Sequence, residues 1–98
     1  MNTTICSAID SKRIIRFYYD GGLRIVEPFC YGLSKKDSKE LLRGYQVSGY
    51  SKSGDTVGWK LFRVSEMSSL TMIDEQFSGV RPGYNPNDSA MTTIYAHI

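Results

Sequence analysis

Three arginines sit where an arginine is costly. By the two-residue alternation of a strand, Arg43 shares a face with Leu41 and Tyr45, Arg63 with Trp59 and Leu61, and Arg24 with Val26. A guanidinium held beside apolar side chains must stack on a ring, pair with a carboxylate or meet an anionic ligand. Tyr18, Tyr31, Tyr45 and Phe62 lie on the same stretches of chain, and flat cations among flat rings are the composition that grips phosphates and bases. The candidate ligand-binding set is therefore Arg24, Arg43, Arg63, Tyr18, Tyr31 and Tyr45. The competing reading is structural: an arginine whose stem covers the sheet while its head reaches water, or an internal ion pair, with Glu27 and Glu66 as partners for Arg24 or Arg63. Composition alone leaves both open.

Other chemistry finds little support. The one histidine, His97, stands near the end of the chain without neighbours of catalytic type, so a Ser/His/Asp or Cys/His arrangement is not expected. Cys6 and Cys30 lack the CxxC spacing of a zinc site and read as buried, reduced thiols. No GxGxxG or GxxxxGK[ST] stretch occurs, and the glycines of "YDGGLR" belong to a turn. Asp74 and Glu75 are adjacent in sequence and so cannot face one another across a substrate. The expectation is a non-enzymatic protein with no catalytic residues, no metal and no cofactor.

Twelve Lys and Arg against ten Asp and Glu leave a net charge of +2, too little for general attraction to nucleic acid, so any anion site must be local. Lys35, Lys36 and Lys39 are interrupted by Asp37 and Glu40 and read as a solvated hairpin tip. Trp59, after Gly58 in a strand, reads as a core anchor. Seven tyrosines exceed what a core needs, because each hydroxyl wants a partner, and some belong at a wet surface or interface.

The elements that must position these residues follow from pattern. Ile5, Ala8 and Ile9 have helical spacing behind Thr3 and Thr4, either of which can serve as N-cap. "RIIRFYYD" and "LRIVEP" form a hairpin through "DGG". Pro28 cannot donate to a ladder, so the strand should break or bend before "FCYGLS" resumes. "ELLRGYQVSGY" and "TVGWKLFRV" form a second hairpin, with a loop of about four to six residues. Ser65 precedes an expected helical turn, and "RPGYNPND" is an irregular connection. Residues 89–98 suit a helix through Met91, Ile94, Tyr95 and Ile98, or a strand through Thr92, Ile94, Ala96 and Ile98, with the strand preferred. The sum over residues 1–98 is one mainly β domain: a small, partly open antiparallel barrel with a short N-terminal helix. No apolar run approaches the ~18 residues of a membrane span and no leader pattern is present, so a cytoplasmic protein with no membrane partner is expected.

The succession "AIDSKRIIRFYY", "GLRIVEPFCYG", "LLRGYQVSG" and "KLFRVSEMSSLTMIDEQF" resembles the WYL domain family over residues 5 to 77. Arg24 and Pro28 match that family's R-x-x-x-P segment, Tyr45 the tyrosine closing its name-giving strand, and Phe62 with Arg63 its F-R pair. The tryptophan and tyrosine of the name-giving triplet fall on Glu40 and Leu41, with Leu42 retained, and a second arginine falls on Glu66. The implied ligand set is thus incomplete, and Arg43 is the candidate replacement cation. The resemblance implies an Sm-like or SH3-like β-barrel that binds nucleotide-type ligands or nucleic acid within transcription regulators. The expected function is a ligand-binding module for a nucleotide-like or oligonucleotide anion. With no room for a helix-turn-helix domain, it would stand alone, and a separate DNA-binding regulator could be its partner. The alternative is an assembly protein whose barrel edges and tyrosines form a homo-oligomer interface.

Overall fold

A computed structural model describes residues 1–98. Helix α1, Thr3–Ser11, is followed by strands β1 (Arg13–Tyr19), β2 (Gly22–Ser34), β3 (Glu40–Gly49), β4 (Gly58–Arg63), β5 (Ser68–Gln76) and β6 (Met91–His97), with a 3₁₀ turn at Val64–Glu66. The strands form one antiparallel sheet in the order β4-β3-β2-β1-β5, and β6 pairs with β2 off this path. The sheet is not closed: β4 pairs only with β3, and β5 only with β1. No helix is long and apolar enough to cross a membrane.

The cap of α1 differs from expectation. Asn2, rather than a threonine, accepts the Ile5 N–H at 3.0 Å, a role its short amide oxygen fills as well as a hydroxyl. Ile5, Ala8 and Ile9 point from one side of α1 into a core completed by Ile15, Phe17, Val26, Tyr31, Leu42 and Phe62. Because these residues come from four strands, the sheet must curl around the helix, and Leu70, Met72 and Ala96 of β5 and β6 reach the same core. Phe17, Tyr19 and Phe62 pack edge to face with centroids 5.0 to 6.2 Å apart. Full burial of Phe17 and of Phe62 contributes ~1.5–3 kcal/mol each, with a further ~0.5–1.5 kcal/mol from edge-to-face geometry.

Pro28 bends β2 without breaking it. The thirteen-residue strand runs through the proline, with a register shift against β3 between Pro28 and Cys30. Before the proline its free edge pairs with β1, and after it with β6. The partner changes where the chain has no N–H to give. Gly32 lets β6 approach there, since a Cβ would collide with the Thr93 carbonyl. The β1–β2 turn has positive φ at Asp20 and Gly21 (44° and 99°), the backbone a two-residue hairpin requires.

Residues 89–98 include strand β6, in agreement with the preferred reading. The segment after Val64 forms only one 3₁₀ turn before entering β5. The β3–β4 loop, residues 50–57, is longer than expected because β3 ends at Gly49 and β4 starts only at Gly58. Residues 77–90 form no helix or strand and lie as a strap over the outer face of β2, β3 and β4.

Candidate functional site

The β3–β4 ladder sets Leu41 opposite Arg63, Arg43 opposite Leu61, and Tyr45 opposite Trp59. These six side chains therefore share the outer face, with Arg43 and Arg63 diagonal across the ladder. Arg24 does not join them. It pairs with Phe17 and Gly49 and, on the core face with Val26, is only 4% exposed. There its guanidinium lies 5.5 to 5.8 Å from the ring centroids of Tyr19, Tyr50 and Phe62. Nε donates to the Tyr19 carbonyl and Nη1 to Gln46 Oε1. Rings and neutral acceptors, not Glu27, accommodate the cation.

The other candidates are scattered similarly. Arg43 donates through Nε (2.7 Å) and Nη2 (3.3 Å) to Asp88 on the strap. Burial would raise the Asp88 carboxyl, but the Arg43 hydrogen bond, the Ala90 N–H and the Arg43 charge outweigh it and hold the pKa below the usual range. Tyr31 is wholly buried, accepting from the Asn2 N–H and donating to Glu40; burial first, then that carboxylate, pushes its pKa up. Its hydroxyl is occupied in holding the start of α1 against β3. Tyr45 lies beneath the guanidinium of Arg81 at 4.1 Å. Tyr18 is 52% exposed on β1, beside Leu23 of β2 and Ser68 of β5, away from the arginines of β3 and β4.

No family model, curated protein or solved structure matches this chain. Its site must be read from its own geometry.

Two residues of the strap had no assigned role in the sequence. Arg81 makes a two-pronged pair with Glu27 at 2.8 and 3.0 Å, which, against the cost of partial burial, raises the pKa of the guanidinium. Asp88 holds Arg43. The available signal was Glu27 itself, a carboxylate next to Pro28 in a strand otherwise apolar enough to be buried, which needs a cation from elsewhere. Trp59 anchors this strap rather than the main core: it donates to the Pro82 carbonyl at 2.9 Å, packs on Phe29 and stacks on Tyr84. Tyr84 donates to the Ile98 carbonyl, and burial pushes its pKa up to about 12. A small cavity of about 260 Å³ remains between Arg43, Trp59, Tyr84 and Asp88.

Arg63 borders a larger cleft of about 610 Å³. Its apolar lining comes from Tyr19, Leu41, Leu61 and Ala90, and its cations are Arg63, Lys35 and Lys36. The lysines reach it because the β2–β3 turn is tied down. Lys35 N–H donates to the Ala90 carbonyl at 3.0 Å, Lys36 N–H to Ser34 Oγ, and Lys39 N–H to Asp37 Oδ1. Asp37 then accepts from Arg63 Nη2 at 3.0 Å. The Lys39 N–H chiefly, with Arg63, keeps the Asp37 carboxyl below its ordinary pKa. The expected solvated tip is therefore exposed, as read, but also lines the cleft. Glu66, 4.0 Å from Arg63 Nε, is the one carboxylate in the lining, and the Tyr19 hydroxyl accepts the Arg63 backbone N–H at 3.0 Å.

Both cysteines are free, and burial pushes Cys30 up to about 11, leaving a thiol rather than a nucleophilic thiolate at neutral pH. No three His, Cys, Asp or Glu side chains gather in a way that could hold a metal. The cleft sets apolar side chains beside three cations, an arrangement that can hold an anion joined to an apolar group.

Proposed function

We propose that this protein is a non-enzymatic binding module that takes a nucleotide-like or oligonucleotide anion in the Arg63 cleft. The carrying observation is the convergence of Arg63, Lys35 and Lys36 on an apolar-walled space of about 610 Å³. Arg63 supplies a planar fork to phosphate oxygens, the lysines supply mobile charge, and Tyr19, Leu41 and Leu61 offer surface to a base or sugar. Arg24 supports the site from behind by stacking on Tyr19 and Phe62. Arg43 acts as the strap's tether, not as the replacement cation.

The fold reading that accompanies this proposal is a WYL-type barrel, Sm-like or SH3-like, acting in the cytoplasm beside a separate DNA-binding regulator. The bend of β2 at Pro28 and the Phe62-Arg63 pair, one ring in the core and one cation in the cleft, support it.

A second reading has its own observation. The outer edges of β4 and β5 are unpaired, and Val57 just before β4, Leu61 on β4 and Tyr18 on β1 next to β5 are exposed, which suits a homo-oligomer joined through strand edges. Native mass spectrometry of gently purified protein separates the two. A copurifying mass absorbing at nucleotide wavelengths supports the module. A clean oligomer that takes up nothing from a nucleotide panel supports assembly.

A further inference from the structure

Arg63, which lines the cleft, already holds an anion that is not itself part of the lining. Asp37 Oδ2 occupies Arg63 Nη2 at 3.0 Å, while Asp37 Oδ1 accepts the Lys39 N–H at 3.1 Å. The turn is also held without Asp37, by the Ser34 N–H on the Lys39 carbonyl at 2.8 Å, the Ser38 N–H on the Ser34 carbonyl at 3.1 Å and the Lys35 N–H on the Ala90 carbonyl at 3.0 Å, so the Asp37 side chain can rotate off Arg63 without unfolding residues 35–39. Both partners are partly exposed, and an exposed pair is weak enough to exchange.

Charge decides what can replace Asp37. With it in place, the cleft's Arg63, Lys35 and Lys36 are opposed by Asp37 and Glu66, leaving one net positive charge. With it displaced the cleft carries two. A phosphate monoester carries about −1.5 to −2 at neutral pH, whereas a phosphodiester or carboxylate carries about −1. Building on the function proposed above, we propose that the ligand presents a terminal phosphate monoester, which takes the place of Asp37 on Arg63, and that Asp37 is the residue that discriminates against singly charged anions. A monoanion gains no more from Arg63 than Asp37 already does, and so has no electrostatic reason to displace it. The monoester also has three oxygens, enough to meet the Arg63 fork and a lysine together.

The test is calorimetric titration of the full chain with adenosine monophosphate, cyclic adenosine monophosphate and adenosine at low salt. The wild type is compared with Asp37→Asn and Glu66→Gln. Asparagine keeps the oxygen that accepts the Lys39 N–H and removes only the competing charge. The monophosphate is expected to bind at least about fivefold tighter than the cyclic diester. Asp37→Asn is expected to tighten the monophosphate by roughly two- to fivefold, the size of one exposed ion pair, and Glu66→Gln by less. Equal affinity for monoester and diester, or equal gains from Asp37→Asn and Glu66→Gln, overturns the exchange while leaving a nucleotide site standing. Binding of none of the three compounds by any variant overturns the site itself.

Discussion

The carboxylate of Asp88 lies 2.7 Å from Nε of Arg43, a residue 45 positions earlier in the chain. That contact ties the strap to the middle of β3, and Asp88 also caps its own turn by accepting the Ala90 N–H at 3.0 Å. Asp88 is only 7% exposed, so removing it strands a guanidinium among partly buried groups. Asp88→Ala is expected to lower unfolding free energy by about 1.5–3 kcal/mol, measured by urea denaturation. A loss under about 0.5 kcal/mol would show that the strap is held by Trp59 and Arg81 alone.

The same pair sets an acid limit. The folded-state pKa of Asp88 is lowered, so its contribution is complete above the unfolded carboxyl value of ~3.9 and is lost as pH falls below it through the folded value. The only tryptophan, Trp59, reports on the strap through Pro82 and Tyr84. Its emission should hold steady from neutral pH down to about 4 and change only below. A transition centred near pH ~6 would point to a group other than a depressed carboxyl.

Arg63→Ala should weaken nucleotide binding at least about tenfold, because one charge-assisted hydrogen bond contributes ~1.5–3 kcal/mol. Stability should move by less than about 1 kcal/mol, since the Asp37 pair is exposed. Fluorescence or calorimetric titration, checked against thermal unfolding, reads both. Unchanged affinity in a folded variant removes Arg63 from the site.

Tyr31→Phe separates structure from recognition. The hydroxyl it removes is bonded to the Asn2 N–H and the Glu40 carboxylate inside the fold. A loss of about 1–3 kcal/mol in stability is expected, with ligand affinity unchanged in the folded fraction. Weaker binding at unchanged stability would return Tyr31 to the ligand set.

Much of the architecture was legible from local pattern. Ile5, Ala8 and Ile9 carried helical spacing, "DGG" carried the positive-φ turn, Pro28 marked the bend of β2, and alternation put Arg43 with Tyr45 along β3 and Arg63 with Trp59 along β4, two sets that the ladder register then joins on one face. Period-two reasoning also put Arg24 with Val26. It could not say that their face is the closed one, because alternation separates two sides of a strand without naming which is covered.

The sequence by itself determined α1, the two hairpins and the presence of cations that needed partners, since propensity, turn chemistry and alternation act within a few residues; β5 and the choice of strand for β6 came from pairing with β1 and β2. Only the tertiary structure decided who those partners were. Asp88 reaches Arg43, Arg81 reaches Glu27 and Asp37 reaches Arg63 across 45, 54 and 26 residues. Those meetings depend on how far the sheet curls and where the strap crosses it, set by packing of the whole core around α1. The same curl put Arg24 inside an aromatic cage and Lys35 and Lys36 at a cleft, giving like residues in one sequence different surroundings and different work.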